Sequence, residues 1–599
     1  MPEPIELSCQ VLVIGGGLAA SCAARVASSF CPDVLVVCKG RFGRSGSSPR
    51  RVSAFAHQEA GPPFRGNPSV LLDTWVLDIL ETGQFINDQH MVDLVSEDAN
   101  DHFSWSEWFG FAGRAREPAP AGHEGRRRPL RFMAPGHSFA RMSPFEEPLS
   151  ALCDVNREAL EIWGGRVTEN VMITRLLTAG GRVVGAAGFD VQSGQPYRIS
   201  AGSTILCAGG ADLLYHPRRG EGQTSGDAYA LAYGAGAPLS NMEFVQFNLY
   251  PAGPDGEALP HNDDLLYFAV GGTLLNGRNE RFMLNAELLV DQLRLELAAP
   301  ANLVSEVYHQ QSLGLGPVRS PGGEISADSQ GLPYLRSLAE LKDWQEKGFN
   351  WTFGVDRLLG GLKVDYRCFS PLPGLWANGE SSTGACGADC LPGYGAAFTA
   401  AGGSVSGAMA ARAAVRFKPW TDFPREQALE EEQKLERLGA SAYSSLPPGG
   451  GGVGRGGSPI ESAELRETED ELRAMAWRDL GIWRNEDRLR QAQREFTARR
   501  QGLARRRATS VDDYRRKREL ENVALTGSLI ATGALARQET RGQHRREDYP
   551  NRDDRVWLKE FLLTAGPSGP RIVEEPINLP RYKSRHLAAF ENTRVKFPR

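Results

Sequence analysis

Val11-Leu12-Val13-Ile14-Gly15-Gly16-Gly17-Leu18-Ala19-Ala20 stands near the start of the chain. Its first four residues are apolar and mostly β-branched, the pattern of a buried strand. An Ala-rich, helix-like segment continues to Phe30, and a second apolar run covers Val34 to Val37. Strand, glycine turn, helix and strand in that order open a dinucleotide-binding βαβ unit. Gly15 serves the tight turn. Gly17 lets the backbone approach a pyrophosphate at the positive end of the helix, and Ala20 fills the third small position for close helix packing. Such a unit asks for an acidic residue at the end of the second strand, about 20 residues on, to hold the adenosine ribose. Val36-Val37-Cys38-Lys39-Gly40 has none there; Cys38 offers only a weak hydrogen bond, and Lys39 joins the cofactor-binding set.

The rest of the chain narrows the function classes. With 599 residues, 41% hydrophobic and 24% charged, it is an ordinary globular sequence long enough for about three to four domains. A net charge of -5 implies no strongly basic face, so nucleic acid is not expected as a partner. Met1-Pro2-Glu3-Pro4-Ile5-Glu6 has no basic or apolar leader character, and no run of about 20 apolar residues occurs. A cytoplasmic protein with no membrane span is expected. The nine cysteines show no zinc or iron–sulfur spacing, which fits reduced intracellular thiols.

Several later segments, in order, resemble the FAD-dependent flavoprotein superfamily of succinate dehydrogenase, fumarate reductase and L-aspartate oxidase. Gly43-Arg44-Ser45-Gly46-Ser47-Ser48 resembles the family's Ser/Gly-rich loop beside the pyrophosphate and flavin, where backbone amides form an anion nest. Succinate dehydrogenases carry a flavin-linked histidine at the place of Gly46, so non-covalent FAD is implied. Thr204 to Gly210, with Gly209 in its turn, resembles a return to the cofactor. Thr224-Ser225-Gly226-Asp227 and Met242-Glu243-Phe244-Val245-Gln246-Phe247 resemble family stretches, with Asp227 at a cofactor position. Gly271 to Asn276 and Glu280-Arg281-Phe282-Met283 resemble the capping-domain hairpin. Gly379-Glu380 resembles a pair that contacts the ribityl chain, and Ala476 to Arg484 and Ala534 to Pro550 resemble the C-terminal helical region.

The resemblance implies an α/β fold: a Rossmann-like FAD-binding domain (1–240 and 351–415), an inserted α+β capping domain (241–350), a C-terminal helical domain (416–545) and an extension (546–599). Helices are expected over Asp73 to Phe109 and Leu149 to Trp163, strands over Arg182 to Phe189 and Gly202 to Ala208, and a linker around Leu446 to Gly457. Ser458-Pro459-Ile460-Glu461 has the form of a helix start. Leu465, Leu472 and Met475, and then Leu489, Ala492 and Phe496, form apolar helix stripes, and Arg515-Arg516-Lys517-Arg518 reads as a solvated helix face.

The dicarboxylate chemistry of the family does not carry over. The acid arginine of Pro-Arg-Asp falls on Ala301 in Pro300-Ala301-Asn302. The histidine of His-Tyr-Thr-Met-Gly-Gly falls on Asp356, and the carboxylate-binding arginine of Gly-Ala-Asn-Arg-Leu falls on Cys390. The capping Arg-Gly-Glu-Gly falls on Phe268 to Gly271, and the histidine of Gln-Phe-His-Pro falls on Asn248. The reaction centre instead offers Asp356, Arg357, Cys390 and Tyr394. Asp356 with Arg357 reads as a base beside an anion anchor or as a plain salt bridge. Cys386 and Cys390 read as a redox pair or as two small buried thiols. Tyr394 meets substrate or packs, and His137, in Gly136-His137-Ser138, resembles an active-site segment. The expected activity is hydride removal from a small metabolite other than a simple four-carbon dicarboxylate. A catalytic flavoprotein subunit handing electrons to an iron–sulfur protein or another acceptor, as in adenylylsulfate reductase, is the first alternative; a non-catalytic FAD protein is the second. The oligomeric state stays open.

Overall fold

The βαβ unit forms as its residues dictate. In the computed structural model strand β1 (Ile5–Ile14) leads into helix α1 (Leu18–Phe30) and strand β2 (Val34–Val37), with Val11 to Ile14 in parallel register with Val34 to Val37. All eight of these strand residues are buried, which is why they read as continuous apolar runs rather than an alternation. The structure describes residues 3–47, 54–56, 68–97, 116–117, 128–129, 136–138, 141–144, 149–216, 224–252, 274–281, 300–322, 341–416, 418–442, 458–567 and 569–577.

Strands β3 (Arg166–Thr168), β4 (Val171–Ala179), β5 (Arg182–Asp190) and β6 (Pro196–Leu206) complete most of a seven-stranded sheet in the order β3-β2-β1-β6-β5-β4. Strand β6 changes partner along its length: residues 196–200 pair antiparallel with β5, whereas 204–206 pair parallel with a strand from far along the chain, Leu375–Ala377. The first sheet is thus finished by a segment that follows a long insertion. Within that insertion, strands β7 (Val245–Pro251) and β8 (Phe349–Leu358) pair antiparallel, joined by Arg319–Ser320, with helix Pro300–Ser312 against β7. Strand β8 runs across the expected junction at 350/351. After β9 (Leu375–Ala377), helix α2 (Tyr394–Ala413) returns to lie along α1. Two Ala/Gly-rich faces allow this: a Cβ on Gly407 would fall 2.3 Å from the Ala23 carbonyl oxygen.

The C-terminal half is helical, with α3 (Ser462–Leu480), α4 (Glu486–Arg505) and α5 (Val511–Ala536) packed on one another. Leu465, Leu472, Met475, Leu489, Ala492 and Phe496 are all buried, as their spacing predicts. A final hairpin, β10 (Lys559–Gly566) and β11 (Gly569–Pro576), joins Leu239–Ser240 and Gly361–Leu362 in a four-stranded sheet.

Three expectations need correction. The single helix over Asp73 to Phe109 breaks after Pro68–Thr82, because Gln84 and Phe85 take left-handed φ values of 54° and 60°; helix resumes at 89–97, and 98–109 lie outside the described residues. Helix α3 starts at Ser462 rather than Ser458, because Pro459–Ile460 pairs with Arg507–Ala508. The Arg515 to Arg518 run is not a solvated face. Lys517 is buried against Glu521, and its neighbours pair with Asp512, Glu519, Glu469 and Glu521, since α5 is covered on most sides. The linker around Leu446 to Gly457 lies outside the described residues.

Candidate functional site

The carboxyl ends of the parallel strands open into one deep cleft, the place where open α/β sheets bind ligands. Residues after β1 (Gly15 to Ala19), β2 (Cys38 to Gly40), β6 (Cys207 to Gly209) and β9 (Asn378 to Glu380) line it. Gly15 sits at φ +129°, and a Cβ there would fall 2.1 Å from the Cys207 carbonyl oxygen. The turn can pass this close to the end of β6 only without a side chain. Gly17 is the N-cap of α1, no side chain caps the helix, and its first turn has no acidic residue. The positive end of α1 therefore meets the cleft uncompensated, a ready anion site. Ala20 faces the other way, fully buried with Val11, Val13 and Val36.

At the end of β2, Cys38 lines the cleft and points its thiol at Gly40 O, 3.2 Å away. Burial pushes this thiol up to about 12, so it remains neutral and offers no carboxylate-like acceptor. Lys39 also lines the cleft, but its ammonium lies 2.8 Å from both Asp227 and Glu519 and 2.9 Å from Ser225 Oγ. Burial alone would raise the Asp227 carboxyl; the Lys39 charge and the hydrogen bonds from Lys39, Ser225 and Asn522 more than offset this and hold it below its usual value. This cluster ties the cleft wall to α5. Ser45, Gly46 and Ser47 also line the cleft; Gly46 has φ +86°, Ser45 Oγ accepts from Arg41 N at 2.7 Å, and Ser47 donates to Asp212. Gly209, at φ +77°, and Glu380 close the wall.

The far end of the cleft carries the reactive side chains. In the β7–β8 pairing, Gln246 faces Arg357 and Phe247 faces Val355, so Asp356 is an extra residue in a bulge. A bulge re-aims side chains. Here consecutive Asp356 and Arg357 both line the cleft and pair at 2.9 Å. Burial disfavours the Arg357 charge, but Asp356 and the sulfur of Cys390 outweigh this and keep it protonated. Cys390 Sγ lies 3.6 Å from Arg357 Nη1 and 2.9 Å from Cys386 Sγ. Gln246 donates to Cys390 O and to Asp389, and Gln543 also donates to Asp389, so the C-terminal segment fastens this loop. Gln246 Oε1 is buried in the cleft wall with no hydrogen-bond partner among the described residues. The fastening by Asp389 and Gln543 escaped the sequence reading; the only signal was the C-terminal Gly-Gln-His stretch, whose partner is not legible from order along the chain.

Tyr394 is fully buried at the start of α2, behind the wall, and its hydroxyl has no partner among the described residues. Asn248 is likewise buried with its amide unpartnered among them. Phe268 to Gly271, Phe282 and Met283 lie outside the described residues. His137 also stands behind the wall, its Nε2 2.9 Å from Pro392 O. The carbonyl can only accept, so Nε2 carries the proton. Burial drives its pKa down from 6.5 to about 3. The unfolded chain thus protonates this group well before the folded chain does. The stability it contributes is complete above about pH 6.5 and falls by up to about 1.4 kcal/mol per pH unit as the pH drops toward 3. Replacing it, His137→Gln, is expected to flatten the pH dependence of urea unfolding between about pH 7 and about pH 5. Equal slopes in both proteins would remove His137 from this role.

Shape and chemistry both fit FAD: a glycine cradle, an uncapped helix end for the pyrophosphate, and a buried unpartnered amide oxygen at the far end. Two family models match the chain, the FAD binding domain over residues 10–320 and the fumarate reductase flavoprotein C-terminal region over 469–588. One subunit of the fumarate reductase (CoM/CoB) of Methanothermobacter marburgensis is 29% identical over 582 residues, covering 93% of this chain and 97% of that one. An uncharacterised FAD-dependent oxidoreductase of Methanocaldococcus jannaschii is 28% identical over 92% of this chain and 96% of its own. The fumarate reductase flavoprotein subunit of Mycobacterium tuberculosis is 30% identical over 68% of this chain and 72% of its own. In fold, the chain matches E. coli quinol fumarate reductase with a TM-score of 0.79 at 20% identity, over 96% and 98% of the two chains. The chain belongs to the FAD-binding flavoprotein family of fumarate reductase, succinate dehydrogenase and L-aspartate oxidase, and is an FAD-dependent oxidoreductase.

Proposed function

We propose that the protein oxidises a small metabolite other than a simple four-carbon dicarboxylate, using non-covalently bound FAD. One observation carries this reading. Among the described residues that line the cleft, Arg357 is the one guanidinium, and it is already paired with Asp356. Two carboxylates need opposed forks to hold them; one engaged arginine suits a substrate with a single anionic or polar group. FAD, when bound, supplies the hydride-accepting chemistry. Arg357 orients the substrate, Asp356 takes a proton from it, and the buried walls around Leu358 and Leu391 exclude water. Gly46 has no side chain that bonds covalently to flavin.

The purified chain is expected to be yellow and to release its flavin on acid precipitation. Under anaerobic conditions neither succinate nor aspartate should bleach it, while one compound of a wider metabolite panel should. Asp356→Asn is expected to slow that bleaching by about 100-fold or more. Bleaching by succinate or aspartate would overturn the substrate reading.

A second reading has its own support: relatives that span most of this chain are named as subunits. The chain then acts as the catalytic flavoprotein of a complex and passes electrons to an iron–sulfur protein. Co-purification with a brown partner from the native host supports it; a chain that turns over with oxygen alone counts against it.

A further inference from the structure

Cys386 and Cys390 stand on the turn that leads into α2, and both line the FAD cleft. Their sulfurs lie 2.9 Å apart, so a shift of under about 1 Å brings them to bonding distance. The turn is held from several sides. Gly387 takes φ +69°, where a Cβ would fall 2.5 Å from Gly83 O. Asn87 Nδ2 donates to Ala385 O at 2.7 Å, and Asp389 accepts from Gln246 and Gln543. Two small thiols packed only for volume need no such framework and no charged neighbour.

The pair is also chemically uneven. Cys390 is buried and Cys386 half-buried. The hydrogen bond from Cys386, joined by the Arg357 charge, outweighs burial and pulls the Cys390 thiol below its ordinary value; the same contact, with burial, holds Cys386 well above. Cys390 is thus the thiol of the pair that gives up its proton more readily, and Cys386 the one that holds it. The two other cysteines on this cleft, Cys38 and Cys207, are both pushed up by burial.

We infer that Cys386 and Cys390 form a dithiol–disulfide couple that exchanges two electrons with the FAD of the same cleft, an inference that rests on the FAD site described above. In the oxidising direction the Cys390 thiolate and the Cys386 thiol join in one S–S bond. The S–H bond of Cys386 breaks, and two electrons and one proton leave the pair. FAD, when bound in oxidised form, would be the acceptor of those two electrons and that proton, so atoms and charge balance. The reverse step returns the dithiol. The couple gives the enzyme a second two-electron store beside the flavin.

The test uses holoenzyme oxidised with ferricyanide, desalted, and titrated anaerobically with dithionite. Flavin absorbance is followed, and samples are alkylated and mapped by mass at each step. The expected result is four electrons per FAD, with the sulfurs of the 386–390 peptide becoming alkylatable before bleaching is complete. Cys386→Ser and Cys390→Ser should each take up two electrons per FAD. The mapping on the unmutated enzyme holds even where a variant folds poorly. Two electrons per FAD with both thiols alkylatable from the start would overturn the inference. So would a disulfide that outlasts full bleaching, or four electrons in both variants. A chain that takes up no FAD overturns the cofactor site and the couple with it, and the absent flavin spectrum distinguishes that failure from the others.

Discussion

Gly15→Ala is expected to lower FAD affinity by at least about 100-fold, equal to about 2.7 kcal/mol. The cause is local and geometric. An alanine at φ +129° is strained by itself, and its Cβ would meet Cys207 O at 2.1 Å and Cys207 C at 2.5 Å. Backbone atoms at the end of a central strand cannot swing aside as a flexible side chain can. The turn must retreat from β6, and with it the amino end of α1 that faces the pyrophosphate. Strain and cradle are separated by a control. Gly236 has φ +85° and nothing within 4 Å of its built Cβ, so Gly236→Ala carries the strain without the clash. Its FAD affinity should stay within about 3-fold of the unmutated chain. Titration of apoprotein with FAD, followed by tryptophan quenching, reads both. An alanine at 15 that binds FAD as tightly as the alanine at 236 would show that this turn does not hold the cofactor.

Residue order carried much of this fold. Val11 to Ala20 specify their strand, turn and helix by local rules, although the atom that bars a side chain at Gly15, the Cys207 carbonyl oxygen, comes from far along the chain. The apolar stripes of α3 and α4 were legible by local rules too. Asp356 and Arg357 show where such reading stops. In a regular strand consecutive side chains point to opposite faces, and only the bulge opposite Gln246 brings both to the cleft. No periodicity announces a bulge. The basic run on α5 reads as a solvated face because helical periodicity does not show what covers a face; Glu469, which meets Arg516, comes from another helix. Cys38 departs from the ribose acid that the βαβ pattern asks for, and residue order shows that departure, but the ionic cluster of Lys39, Asp227 and Glu519 beside it joins residues separated by most of the chain.

The same limit explains the arginines near the C-terminus. Replacing Arg537 with alanine is expected to destabilise the protein by about 3–5 kcal/mol, the cost of leaving a buried charge without its partner. Arg537 is fully buried and donates to Glu243 at 2.8 Å, to Glu539 at 3.0 Å, and to the carbonyls of Trp557 and Lys559 at 2.8 and 2.7 Å. Its guanidinium lies over Phe244 and Phe561, 5.1 and 5.0 Å from the ring centres. One side chain thus joins the base of β7, the end of α5 and the final hairpin. Alanine strands the Glu243 carboxylate, itself fully buried, and leaves two carbonyls unsatisfied. Lysine should not rescue it, because an ammonium cannot present the planar fork that meets four acceptors at once. Removing the stranded charge as well, in Arg537→Met with Glu243→Gln, should recover part of the loss, and the cycle of single and double variants measures the coupling. Urea unfolding of the holoenzyme checks each value. The consequence extends to the cleft: β7 carries Gln246, which holds Asp389 and the Cys390 carbonyl, so the alanine variant should also make the 386–390 peptide more open to alkylation in the folded state. A loss below about 1 kcal/mol with unchanged alkylation would mean that aromatic packing, not the ion pair, fastens the C-terminal region to the cleft.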